Sequence, residues 1–327
     1  MTQPRLGALV AVAVLSAAGV AQAQVPELPL GISGTLDAAA DTTNKTAGQG
    51  ALGRVGSPVG RISRVSPSMT AISKLKFESK EELGGGYKAG FVLEMQPTDD
   101  NGTLGNDGRG FGRQAFVSLT TPFGEVRAGR QYAPMFYAKA LSTTEQLAGT
   151  DLFTALLTVN NLTVRQDNQL SYWIRQGFDN DRHKILASLA ISPNAGVPKA
   201  GINASRAPAT SAATPQILGG SSAGEEGRGR AIGGFINYVT GGLSVSVAGH
   251  HNRFGVPLYF GTTTALPIGI LDDYRSFGLA ARYVMDNGLA FAASFGEGRY
   301  RFSAANPFLP SLRSDGMKIR TMVFGVK

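Results

Sequence analysis

Leu83-Gly84-Gly85-Gly86, followed by Tyr87-Lys88-Ala89-Gly90-Phe91-Val92-Leu93-Glu94, decides the fold class. Successive side chains of a β-strand point to opposite faces. Tyr87, Ala89, Phe91 and Leu93 then form an apolar row, while Lys88, Gly90, Val92 and Glu94 form a row of small or charged groups. The glycine run ahead of it suits a tight turn, because glycine reaches positive φ without a steric penalty.

The same period of two recurs along the chain. Leu170, Tyr172 and Ile174 alternate with Ser171, Trp173 and Arg175. Ile185, Ala187, Leu189 and Ile191 make another apolar row. Leu243, Val245 and Val247 alternate with Ser244, Ser246 and Ala248, and Leu289, Phe291, Ala293 and Phe295 with Ala290, Ala292, Ser294 and Gly296. Lipid on one face and water on the other would select this pattern. A soluble sandwich gives similar alternation, so the rows alone leave both open.

The connections separate the two. Tight ones fall at Leu83–Gly86, Thr121–Gly124, Gly177–Asp181, Thr240–Gly242 and Asp286–Gly288. Long ones cover Ala40–Arg61, Gln96–Gly108, Tyr132–Val164, Ser192–Gly229, Asn252–Asp273 and Ser303–Gly316. Tight turns at one end and long loops at the other are expected of an outer-membrane barrel. The Ala-, Ser-, Gly- and Pro-rich stretch from Pro193 to Gly227 reads as an external loop. About twelve strands are recognisable by this pattern.

Composition agrees. Glycine supplies 43 of the 327 residues, which is dense against an average near 7% and favours turn-rich β structure. The absence of cysteine removes disulfide scaffolds, thiolate metal sites and cysteine nucleophiles. The three histidines, at 183, 250 and 251, lack the spacing of a zinc enzyme. The formal charge of +8 is scattered along strands without an aromatic-basic patch, so nucleic acid is not expected as a partner. Residues 1–23 read as a secretory signal: Arg5, an apolar run from Leu6 to Val20, then Ala21-Gln22-Ala23 as a cleavage site. Residues 24–327 form the remaining domain. No later apolar run is long enough for a helical span; the best is Leu152 to Val159.

Lys74-Leu75-Lys76-Phe77-Glu78-Ser79-Lys80-Glu81-Glu82-Leu83 and the turn after it, with Gly112-Arg113-Gln114-Ala115-Phe116-Val117-Ser118-Leu119 and Pro122-Phe123-Gly124-Glu125-Val126-Arg127-Ala128-Gly129-Arg130-Gln131-Tyr132, occur in order. This block resembles the early hairpins of Gram-negative general diffusion porins of the betaproteobacterial type. Leu30 to Asp37 is similar to that family's first strand. The resemblance implies an all-β, transmembrane antiparallel β-barrel with a family norm of about sixteen strands, so the last strands are expected to be missing here. It also implies a homotrimer in the outer membrane, in contact with lipid and lipopolysaccharide. The implied activity is passive diffusion of ions and small hydrophilic solutes, without enzyme chemistry, metal or cofactor.

The third long connection, from Tyr132 to Val164, is expected to fold inward. Thr150-Asp151-Leu152-Phe153 resembles its acidic-aromatic element, and Lys74, Arg113 and Arg165 fall where the family places wall cations. Three cations against Asp151 and Glu145 would favour anions. The competing expectation is that Arg113 and Arg165 pair with carboxylates at the rim. Lys76, Arg127 and Arg175 are further candidates to face water. Where the family usually has arginine, Lys74 replaces a rigid fork with a mobile point charge.

Other motifs carry less. Gly84–Gly86 lacks the Lys-Ser/Thr of a phosphate loop. Glu81 and Glu82 are adjacent on a strand, so they point apart and cannot act as paired acids. Gly220-Ser221-Ser222-Ala223-Gly224 matches a nucleophile elbow but lacks its strand–helix setting. The remaining alternatives are a channel for one small organic anion and a non-conducting adhesive or structural barrel.

Overall fold

The computed structural model describes residues 30–44, 61–67, 73–98, 102–106, 108–142, 165–193, 229–258, 269–303 and 317–326. Fourteen strands and one helix occur among them. They are β1 (Gly31–Thr35), β2 (Ala38–Asn44), β3 (Arg61–Pro67), β4 (Lys74–Gly84), β5 (Tyr87–Met95), β6 (Gln114–Thr121), β7 (Gly124–Tyr132), α1 (Pro134–Ser142), β8 (Arg165–Phe178), β9 (His183–Ser192), β10 (Arg230–Thr240), β11 (Leu243–Leu258), β12 (Gly269–Val284), β13 (Ala290–Ser303) and β14 (Met317–Val326). No described helix is long and apolar enough to cross a membrane.

Twelve strands form one sheet in the order β1-β4-β5-β6-β7-β8-β9-β10-β11-β12-β13-β14. From β4 onward each strand pairs antiparallel with its successor, as the alternation of tight and long connections predicted. Among the described residues β1 and β14 are the edges of this sheet. β2 and β3 form a separate two-stranded ladder that extends the β1–β4 hairpin into the first long connection. Two residues, Leu36 and Asp37, separate β1 from β2, whereas six positions separate β3 from β4, and the unequal spacing breaks the ladder. Ser73 bridges the break, its Oγ accepting from the Asp37 amide at 2.9 Å.

The tight turns stand where the sequence put them. Gly84, Gly85 and Gly86 adopt φ of 87°, 59° and 82° between β4 and β5, a region that side-chain-bearing residues avoid. Two long connections are shorter than expected. β2 runs to Asn44, inside the stretch expected as Ala40–Arg61. The connection expected over Asn252–Asp273 is shorter, because β11 runs to Leu258 and β12 begins at Gly269. A register shift between Arg253 and Val256 carries the ladder through a stretch whose alternation is broken.

The two faces differ as expected. Leu170, Tyr172 and Ile174 are exposed, whereas Ser171 and Trp173 between them are 2% and 5% exposed. Ile236 and Val247 are likewise exposed beside buried Asn237, Ser246 and Ala248. The apolar rows thus cover the outer face, and the small and polar rows line the inner one. That is inverted relative to a water-soluble protein and suits lipid outside.

Candidate functional site

The third long connection begins as α1, a helix that the strand-based reading did not anticipate. Pro134 opens it, where a missing amide costs no hydrogen bond. The helix leaves β7 and packs on the inner faces of β10, β11 and β12. Met135 and Ala138 join Trp173, Phe235 and Ala248 in a buried cluster. Tyr137 stands edge-on to Trp173 at 4.7 Å and stacks on Phe235 at 5.9 Å. Ser142 Oγ lies 3.1 Å from Ser244 Oγ and 2.7 Å from Ser246 Oγ. Asn237 Nδ2 donates toward the same three hydroxyls at 3.3, 2.9 and 2.9 Å. A helix that starts at one strand and is bonded to strands further round the sheet crosses the inner space.

At the root of this helix the long-connection ends of β5 to β8 gather charge. Arg113, just before β6, pairs with Glu94 on β5, and both side chains are under 10% exposed. Its guanidinium also donates to the Tyr132 hydroxyl and, at 3.3 Å, to Gln96. Gln114 donates to the other Glu94 oxygen at 2.9 Å. Arg165 opens β8 and donates to the Tyr132 hydroxyl at 3.2 Å and to Asn106 at 3.0 Å. Its guanidinium lies 4.7 Å from the centre of the Tyr132 ring. Tyr132 in turn stacks on Phe136 of α1 at 4.2 Å. One tyrosine therefore holds two arginines and the base of the helix.

Lys74 sits on the inner face of β4. Lys76, two residues on, is directly opposite Glu94, so Lys74 is a diagonal neighbour of Glu94, a separation of about 7–8 Å between such positions. The three wall cations named from sequence are thus assembled around Glu94 and Tyr132. Arg113 meets the rim-pairing expectation, because Glu94 is its counter-ion. Arg165 has no carboxylate partner among the described residues. Glu145 and Asp151 lie outside the described residues, as do Gly220–Gly224. Lys76 pairs with Glu78 at 2.7 Å. Arg127 pairs with Glu125 at 2.8 Å and covers the Trp173 ring at 4.4 Å.

A second pair of arginines was not legible from spacing. The β7–β8 register shifts between Gly129 and Gln131, so Asp167 and Asn168 oppose Arg130. Asn168 takes a φ of 51° and Gly129 one of 132°. A β-bulge re-aims side chains, and here it brings Asp167 to two cations. Arg109 Nη1 donates to both of its oxygens at 2.9 and 3.0 Å, and Arg130 donates to one of them. Arg130 Nε also donates to the Gly112 carbonyl at 2.8 Å. Five described cations, Lys74, Arg109, Arg113, Arg130 and Arg165, thus surround two described carboxylates, Glu94 and Asp167.

His250 and His251 do not form a pair of ligands. His250 is on the inner face, bonded to Asn252 at 2.6 Å. His251 follows it on the outer face, near Asp273 at 3.9 Å.

Comparison with known proteins now bears on this arrangement. Residues 8–322 match the family model described as Gram-negative porin. The chain belongs to the Gram-negative porins. It is similar to Outer membrane porin protein 32 of Delftia acidovorans, with 33% identity over 243 residues, which cover 73% of this chain and 58% of that one. The chain therefore spans less than two thirds of that relative. Among solved structures, the fold matches the anion-selective porin from Comamonas acidovorans at a TM-score of 0.60 and 21% identity, covering 92% of this chain and 73% of that one. The sheet of this porin is accordingly the porin β-barrel fold, and its location is the outer membrane.

Proposed function

We propose that this chain forms a water-filled channel for passive diffusion of ions and small hydrophilic solutes, with a preference for anions. The observation that carries the reading is the cluster of five cations around Glu94 and Asp167 at the root of an inward-packed α1. Fixed charges in a narrow passage with low-dielectric walls focus their field on whatever enters. The solved structure it resembles in fold is described as anion-selective, and the cation excess here comes from this chain's own residues. Lys74, Arg113 and Arg165 are proposed to line the constriction, with Glu145 and Asp151 of the third connection facing them. The proposal includes residues 1–23 as the export signal, 24–327 as the barrel chain, a homotrimer in contact with outer-membrane lipid and lipopolysaccharide, and transport without catalysis.

The test is single-channel recording of the purified protein in a planar bilayer under a salt gradient. Stepwise conductance with a reversal potential on the anion-permeable side is expected. Insertion without conductance refutes the channel, and a cation-side reversal potential refutes the preference.

A further inference from the structure

The inner face also carries charge at its tight-turn end, away from the cluster around Glu94 and Asp167. Arg175 follows Ser171 and Trp173 on the inner row of β8, and Lys184 precedes Leu186 and Ser188 on the inner row of β9. Gly177 is the next inner position of β8 and lies directly opposite Lys184. Arg175 is therefore a diagonal neighbour of Lys184, at a separation of about 7–8 Å. Both cations are exposed, and neither is ion-paired among the described residues.

The turn joining these strands brings an anion between them. Asp179, Asn180 and Asp181 take φ of 47°, 52° and 65° in succession. Short polar side chains visit this left-handed region more readily than others do, and three in a row curl the chain back on itself. The Asp181 carboxylate ends up over Gly177: a Cβ added there would stand 1.9 Å from Asp181 Oδ1. That Cβ would point to the inner face, as the side chain of Arg175 does two residues earlier. Gly177 is not itself left-handed, so its missing side chain supplies room for the carboxylate and not backbone freedom.

Other charges nearby are engaged or distant. Asp179 lies 3.5 Å from Arg182 within the turn. Glu125, diagonal to Arg175 across the β7–β8 ladder, is held by Arg127 at 2.8 Å. Arg282 shares a register row with Lys184 through Val239 and Ser244, but three strand spacings, roughly 14 Å, separate them. Around Gly177 the order is thus cation, carboxylate, cation.

We propose that Arg175, Asp181 and Lys184 form a subsite for acidic α-amino acids at the periplasmic mouth of the channel. Two carboxylates of such a solute flank one ammonium, which is the complement of two cations flanking one carboxylate. Its net negative charge also suits the cation excess of the passage. Arg175 presents a planar fork to one carboxylate, Lys184 takes the other, and Asp181 accepts from the ammonium. Other solutes match less of the pattern. An inorganic anion or a plain dicarboxylate brings negative charge against Asp181, and a neutral amino acid leaves one cation unmatched. The proposal rests on the channel reading, with the tight turns on the periplasmic side.

The experiment records the purified full chain in planar bilayers in potassium chloride. L-Glutamate or glutarate is added to both sides, and the concentration that halves chloride conductance is read. Asp181→Asn is the decisive variant, because asparagine tolerates the left-handed conformation and keeps the turn. Block by L-glutamate is expected to weaken at least fivefold, while block by glutarate stays equal or tightens. The same change removes a partner from the ammonium and a repulsion from the carboxylates. Gly177→Ala, which evicts the Asp181 carboxylate, should reproduce both shifts. Arg175→Gln and Lys184→Gln should each weaken both solutes at least fivefold, and Arg282→Gln should move either by less than twofold. Unchanged L-glutamate block in Asp181→Asn, or weakening of both solutes there, overturns the proposal. So does an Arg282→Gln effect as large as that of Lys184→Gln, which would mark a diffuse field across the mouth. Calorimetric titration of the same variants with L-glutamate in neutral detergent separates the two readings. A parent that binds L-glutamate but passes no current refutes the channel and leaves the subsite standing. A conducting parent whose titration is unchanged by Asp181→Asn refutes the subsite alone.

Discussion

Ser142 Oγ at the end of α1 lies 2.7 Å from Ser246 Oγ on β11, 104 residues later in the chain. This contact fixes where α1, the described start of the third connection, goes. A helix bonded at its far end to the opposite wall narrows the space between. Replacing residues 134–163 by a short Gly/Ser linker, with Tyr132 kept to hold Arg113 and Arg165, should raise single-channel conductance. Unchanged conductance in a folded variant would remove α1 from the passage.

The same network predicts a stability effect. Asn237 Nδ2, with two hydrogens to share, lies within 3.3 Å of Ser142, Ser244 and Ser246 Oγ and of the Val245 carbonyl. Asn237→Leu leaves buried hydroxyls without their shared donor, at a cost of about 1–3 kcal/mol. The denaturant midpoint in detergent should fall, and conductance should rise as α1 loosens. A stable variant with parental conductance would show that the network does not hold the helix.

Much of this was legible in the sequence. Rows such as Leu170–Tyr172–Ile174 set which face meets lipid, and Gly84–Gly86 set a hairpin, because period and turn chemistry are local properties. Lys74, Arg113 and Arg165 came from a motif whose order implied proximity. Glu94 was visible as an inner-row residue, but its partnership with Arg113 depends on the β5–β6 register, which spacing does not encode. Arg130 and Asp167 escaped because a bulge at Asn168 overrides the parity rule used to assign faces. The α1 helix escaped because its packing partners, Trp173, Phe235 and Ala248, are distant in sequence.

That bulge is itself testable. Gly129 sits at φ 132°, and a Cβ there would stand 2.2 Å from the Ala115 carbonyl oxygen. Gly129→Ala must displace backbone, so a loss of at least about 1 kcal/mol is expected. Because the shift also separates Asp167 from Arg130, an Asp167→Asn variant should lower stability in the same direction. Parental thermal midpoints for both would show that neither the missing side chain at Gly129 nor the charge of Asp167 stabilises the bulge.

Glu94→Gln separates charge from structure. The buried Arg113 loses its counter-ion, which costs about 3–5 kcal/mol when one partner of such a pair is removed. The cluster also gains a net positive charge. Reversal potential should therefore move toward greater anion preference while the unfolding midpoint drops. A midpoint that drops with no change in reversal potential would make Glu94 structural only.

The sharpest test of selectivity leaves the Arg113–Glu94 pair intact. Lys74→Gln with Arg165→Gln removes two cations, and the shorter amide side chain at the second position retains some capacity to donate to Asn106 and Tyr132. The anion-to-cation permeability ratio should fall. The fall should grow as salt is diluted, because the Debye length lengthens from about 10 Å at 0.1 M to about 30 Å at 0.01 M. Arg165→Lys is the companion. It keeps the charge but loses the planar fork that reaches Asn106 and Tyr132 together, so selectivity should be retained while stability declines. A parental reversal potential in the folded double variant at both salt concentrations would show that these residues do not set selectivity. If Arg165→Lys lost selectivity as fully as Arg165→Gln, the position of the guanidinium, and not its charge, would be the controlling factor.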